Sequence, residues 1–91
     1  ISGDIAVKVG QMIRNLARKH QVVSITHLPQ VAAMGDHHFR VYKLTKEEET
    51  VSHMEALDQQ ARISEVAGMM AGDQVTETTF QNARELIHNN E

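Results

Sequence analysis

Residues 22–30 place the tightest limit on how this chain folds. Val22, Val23 and Ile25 form a short β-branched block, and such a block is typical of a strand that is covered on both faces, as in a parallel sheet. The block is followed by Pro29, the only proline of the chain, which suits the first position of a helix. The sequence therefore predicts a buried strand that ends at His27 and leads directly into a helical turn.

Apolar residues at helical spacing predict three longer helices, one before the strand and two near the end of the chain. The first runs from about residue 3 to residue 19, with Ser2 as its N-cap. The second is capped by Asp58 and closed by Gly72, and the third is capped by Thr76. Their apolar positions are Ile5, Val9, Met12, Ile13 and Leu16, then Ile63, Val66, Ala67 and Met70, then Phe80, Ala83, Leu86 and Ile87.

Between these helices we expect a short turn and a β-hairpin. Residues 31–34 form a helical turn that Gly35 stops. Residues 38–44 and 51–57 are the two strands, and the polar residues 45–50 form the exposed tip. The tip lacks the Asn-Gly type of tight turn, so the register of the hairpin stays open.

Length and composition narrow the possible functions. Ninety-one residues with 3% aromatics allow one small domain or a piece of a larger one with a thin core. A net charge of −3 gives no overall basic field for nucleic acid. No apolar run approaches the roughly 20 residues that span a bilayer, so we expect no membrane partner. The chain has no initiator Met, and we interpret Ile1 as a cut inside a longer protein.

His27 is the residue whose position most suggests chemistry. Open α/β sheets bind ligands beyond the carboxyl ends of their strands, and a histidine there can donate a hydrogen bond to a phosphate oxygen or to an attacking water. The alternative is a histidine that only satisfies nearby backbone groups. The Gly-x-x-x-x-Gly-Lys phosphate loop is absent from the sequence, so this chain cannot hold nucleotide phosphates by that device.

The other candidate clusters have ordinary explanations. His37 and His38 are neighbours and point to opposite faces of a strand, so we predict no metal site. The glutamates at residues 47–49 fit a solvated hairpin tip. Four methionines are interpreted as core filling, namely Met12, Met34, Met69 and Met70.

The order of motifs along the chain resembles that of a known protein family. The chain begins Ile-Ser-Gly, continues with Val-Val-Ser-Ile-Thr-His-Leu-Pro-Gln-Val-Ala-Ala at residues 22–33, and ends with Arg-Ile-Ser-Glu-Val-Ala-Gly-Met-Met-Ala-Gly at 62–72 and Ala-Arg-Glu-Leu-Ile at 83–87. This order resembles the C-terminal end of the RecN family of bacterial DNA repair proteins, which are SMC-like ABC-type ATPases. The resemblance covers nearly the whole chain, and residues 26–32 are its most specific part. Gly68 stands where related sequences tend to carry Arg.

The resemblance implies an α/β fold, as part of an ABC-type, P-loop NTPase-like ATPase head. Residues 1–91 would form a single C-terminal subdomain, from the end of the D-loop to the C-terminal helices. His27 would be the switch histidine that contacts the γ-phosphate and helps position water. Ser2 and Gly3 would face the ATP site of a second head. ATP and Mg²⁺ belong to the full-length protein, and none is expected on this chain alone.

The function implied by the resemblance is ATP-driven DNA double-strand break repair and recombination in the cytoplasm, at the nucleoid. The partners would be the rest of the head, a second head in a homodimer, and DNA. The chain alone is expected to be inactive as an ATPase. Two alternatives stay open: a non-catalytic dimerisation module that pairs through an exposed sheet edge, and the head of another SMC-like chromosome ATPase.

Overall fold

The computed structural model describes residues 3–90. In this range the chain forms four helices and one two-stranded antiparallel hairpin, so it is a mixed helix and strand structure. The elements in chain order are α1 (Gly3–Leu16), α2 (Pro29–Ala32), β1 (Phe39–Lys46), β2 (Glu49–Ala56), α3 (Gln59–Ala71) and α4 (Glu77–His88).

Helix α1 lies against α2 through its small residues. Ala6 and Gly10 are buried on this side. A Cβ atom built on Gly10 would lie 2.6 Å from Sδ of Met34, so only a glycine allows this close approach without a shift. The helix ends at Leu16, earlier than the predicted residue 19, and residues 17–19 form a turn.

The buried strand predicted at residues 22–25 does not form. Residues 21–28 have no regular secondary structure, and the side chains of Val23 and Ile25 are 84% and 100% exposed. Within residues 3–90 the only strands are β1 and β2, which pair with each other. A strand needs a neighbouring backbone for its hydrogen bonds, and residues 22–25 have none in this part of the chain. The prediction of a buried strand is therefore wrong for this chain.

The predicted hairpin is confirmed, and its tip is tighter than expected. Lys46 pairs with Glu49, which leaves only Glu47 and Glu48 in the turn. Both turn residues have positive φ, at 52° and 69°, as a type I′ turn requires. Of the strand residues only Tyr42 is partly buried, so the hairpin extends into solvent.

The core lies between α3 and α4, with the end of α2 packed against it. Its buried members are Ala33, Ile63, Val66, Ala67, Ala83 and Ile87. Two of the three predicted N-caps are confirmed, because the side chain of Asp58 accepts from Ala61 N at 2.8 Å and that of Thr76 accepts from Thr79 N at 3.2 Å. The third, Ser2, lies outside the described residues. Gly72 ends α3 with a φ of 59°, as predicted for a helix stop.

The predicted role of the methionines as core filling holds only in part. Met34 is buried, whereas Met12 and Met70 are exposed. Within the described range, no helix has both the length and the apolar character to cross a bilayer.

Candidate functional site

His27 lies in the extended segment that leads into α2. The residue is exposed, and Leu28, which follows it, is the N-cap of α2. The backbone on each side of His27 is bonded: Leu28 N donates to Oγ1 of Thr26 at 3.0 Å, and Ala32 N donates to Leu28 O at 3.0 Å. The predicted helix start at Pro29 is confirmed. The histidine therefore stands at the start of a helix, on a locally ordered backbone, rather than at the end of a strand.

The imidazole of His27 is available to a ligand. Among residues 3–90 no side chain or backbone group forms a hydrogen bond with it. In the described part of the chain, no contact therefore supports the alternative in which His27 only satisfies nearby backbone groups. An imidazole can donate or accept a hydrogen bond, so its chemistry suits a phosphate oxygen or a water.

Two arginines hold the other end of α2. Nη2 of Arg62 donates to the carbonyl oxygens of Ala32, Ala33 and Gly35, at 3.2, 3.0 and 2.6 Å. Nη1 of Arg14 donates to Met34 O at 3.0 Å. These two side chains come from α3 and α1, so three helices meet at residues 32–35, a few residues after His27.

Gly3, one of the two predicted D-loop residues, is the first residue of α1. Gly3 is exposed, and a Cβ built on it would lie 3.6 Å from the side-chain nitrogen of Gln30 in α2. The structure thus brings Gly3 close to the helix that follows His27. Ser2 lies outside the described residues.

His38 is a partly buried titratable group whose surroundings shift its pKa. It directly precedes β1, and its Nδ1 is buried without a hydrogen-bond partner within residues 3–90. Burial lowers the pKa of His38 below its ordinary value of 6.5 and the nearby positive charge of Arg62 adds to this, while Glu65 opposes it. His38 also lines a cavity of about 130 Å³ that Arg62 and Asp36 share.

No metal centre is evident near these residues. Among residues 3–90, no three His, Asp or Glu side chains are grouped closely enough to hold a metal ion. Glu47 and Glu48 occupy the exposed hairpin turn, as expected.

Sequence reasoning missed the two arginines and His38. No role for Arg14 or Arg62 follows from the sequence pattern. One local signal was present: a helix of four residues leaves its last carbonyls without internal partners. That signal predicts a donor near residues 32–35 but cannot say which distant side chain supplies it.

Comparison with known proteins points to one family. No protein-family model matches the chain. The chain is 47% identical over 87 residues to DNA repair protein RecN of Vibrio cholerae, a match that covers 96% of this chain and 16% of that protein. It is 41% identical to DNA repair protein RecN of Haemophilus influenzae, also over 87 residues and 16% of the relative. For the Bacillus subtilis protein of the same name the identity is 38%, over 15% of its length.

The extent of these matches defines what the chain represents. It spans about one sixth of the length of the curated relatives it matches, and the matches cover 96% of its own residues. The 91 residues are therefore a RecN-family segment.

Proposed function

We propose that this chain is the C-terminal part of a RecN-type ATPase head that acts in DNA double-strand break repair and recombination. The relatives described above carry the name DNA repair protein RecN, which favours this function over the head of a chromosome-condensing ATPase. The chain would complete an ABC-type, P-loop NTPase-like head in the cytoplasm, at the nucleoid.

The observation that carries the proposal is the state of His27. Its imidazole is exposed and makes no hydrogen bond within residues 3–90, while the backbone beside it is fixed at the start of α2. A side chain in that state can donate to a γ-phosphate oxygen or to a water without first breaking another contact. In this proposal His27 is the switch histidine, and its hydrogen bond gains strength as charge develops on the transferred phosphoryl group.

The rest of the ATP site comes from other parts of the full-length protein. The sequence contains no Gly-x-x-x-x-Gly-Lys loop, and no described group of acidic side chains suits Mg²⁺, so we assign no Mg²⁺ ligand to this chain. Gly3 and Ser2 would lie at the interface with a second head, where ATP binds between the two heads of a homodimer. The 91-residue chain alone is expected to hydrolyse no ATP.

The experiment replaces His27 by Ala in the full-length protein and measures ATP binding and turnover separately. We expect ATP binding within about twofold of wild type and turnover slowed by roughly tenfold or more, as for a positioned hydrogen-bonding group. His20→Ala is the matched control, because His20 is also exposed and lies just after the turn that follows α1. Unchanged turnover in His27→Ala would show that the proposed role is wrong.

A second candidate function rests on exposed apolar surface. Val23 and Ile25 are almost fully exposed, and three residues of α1, namely Ile5, Met12 and Leu16, are more than half exposed. Apolar surface of this kind is typical of an interface. We infer that the chain can act as an interaction module that self-associates through this surface, rather than through the sheet edge expected from the sequence. Sedimentation of the 91-residue chain over a range of concentrations tests this, and a monomer at every concentration would count against it.

A further inference from the structure

The carbonyl oxygens of residues 32–35 form an unbroken row, and every one of them accepts a hydrogen bond from an arginine. Arg62 contacts three of them and Arg14 contacts the fourth. Hydrogen bonds from a charged donor are shorter and stronger than neutral ones, and the 2.6 Å contact between Arg62 and Gly35 is the shortest of the set. We call residues 32–35 with these two arginines the carbonyl clamp.

Helix α2 depends on contacts of this kind because it is only four residues long. One helical turn is not stable by itself, since nucleation fixes several backbone dihedrals for a single hydrogen bond. Its N-cap, Leu28, has no side-chain cap bond. The position of α2 is therefore set by its buried residues and by the carbonyl clamp.

Arg62 connects α2 to the buried core of the described chain. The residue that follows it, Ile63, is buried in the core between α3 and α4, as is Val66 one turn later. At the other end of α2, a single residue, Leu28, separates His27 from Pro29. A shift of α2 against α3 would thus move the backbone that carries His27.

We propose that Arg62 is a positioning residue for His27, acting through α2, and that Arg14 supports it. This inference rests on the proposed function of His27. Arg62 contacts neither nucleotide nor water in this account. Its effect is to hold the start of α2 at the place where the imidazole meets the reacting phosphate, and small displacements of such a group reduce the rate much more than they reduce binding.

The test uses the full-length protein with Arg62→Gln, Arg62→Lys and Arg14→Gln. We expect Arg62→Gln to lower kcat by roughly tenfold with KM for ATP nearly unchanged. Arg62→Lys should recover part of the loss, because an ammonium group still donates to a carbonyl but lacks the planar fork of a guanidinium. Arg14→Gln should have the smaller effect, since Arg14 contacts one carbonyl.

Arg84→Gln is the matched control. Arg84 is exposed and donates from Nη1 to Gln81 within its own helix, at 2.9 Å. The same substitution there should leave kcat unchanged. Amide hydrogen exchange at residues 30–35 should be faster in Arg62→Gln than in Arg84→Gln, while the thermal midpoint of each variant reports any general loss of fold.

A double-mutant cycle with His27→Ala separates positioning from a general structural role. If Arg62 acts through His27, adding Arg62→Gln to His27→Ala lowers kcat by no more than about twofold further. A further loss as large as that in the single variant, or an unchanged kcat in Arg62→Gln, would overturn the inference while the role of His27 stands. An unchanged kcat in His27→Ala would overturn the proposed function, and this inference with it.

Discussion

Gly10 of α1 lies against the side chain of Met34, and a Cβ at Gly10 would approach Sδ of Met34 to 2.6 Å. The backbone of α2 is also near, with Gln30 O at 3.5 Å from that Cβ. A large side chain at Gly10 must therefore displace the Met34 side chain or separate α1 from α2. We predict that Gly10→Leu lowers the free energy of unfolding by about 1–3 kcal/mol, as overpacking does elsewhere, measured by urea unfolding of the 91-residue chain.

The control for this prediction is Gly68, which lies within α3 with no atom within 4 Å of a built Cβ. Gly68→Ala should raise the free energy of unfolding by up to about 1 kcal/mol, because alanine favours the helix over glycine. Equal effects of the two substitutions would contradict the close packing of α1 on α2.

The hairpin turn offers a stabilising substitution. Glu47 and Glu48 both have positive φ, a conformation that costs ordinary L-residues roughly 1 kcal/mol or more each. Asn followed by Gly suits a type I′ turn, so Glu47→Asn combined with Glu48→Gly should stabilise the hairpin by about 1 kcal/mol. Cross-strand NMR contacts between Thr45 and Thr50, whose hydroxyls lie 2.9 Å apart, would report the gain. Glu49→Asn, one residue beyond the turn, should give none.

Stability should fall on the acid side of pH 6.5 because of His38. Burial and the charge of Arg62 lower the pKa of His38 in the folded chain relative to 6.5, so the unfolded chain binds the proton more readily in this range. The contribution of neutral His38 to stability is present above pH 6.5 and is lost as the pH falls through the lower, folded pKa. Urea unfolding at several pH values should show this slope in wild type and a shallower one in His38→Gln. An unchanged slope in His38→Gln would contradict the prediction.

The elements that could be predicted from sequence are those fixed by nearby residues. Asp58 and Thr76 each cap a helix through a backbone N–H three residues away, and the hairpin joins strands separated by two residues. Signals of this kind involve only a few neighbouring residues, so they can be recognised from the sequence alone.

The elements that could not be predicted depend on partners far along the chain. A β-branched block at residues 22–25 satisfies the composition of a buried strand, but no neighbouring strand lies within residues 3–90. Arg62 reaches Gly35 across 27 positions of sequence, and nothing in the local pattern distinguishes it from a solvated arginine. The sequence was enough to place His27, the predicted site residue, at a boundary between two elements. It was not enough to identify the contacts that hold this boundary in place.

The role of His27 is tested by single-turnover ATP hydrolysis, comparing full-length wild type with His27→Ala, each in excess over ATP and well above its ATP dissociation constant. Because all of the ATP is bound, differences in ATP affinity do not change the measured rate. Because each ATP is hydrolysed only once, product release does not limit that rate. We predict a rate lower by roughly tenfold or more in His27→Ala, with an ATP dissociation constant within about twofold of wild type. Equal rates in the two proteins, or a loss that appears only in the dissociation constant, would contradict it.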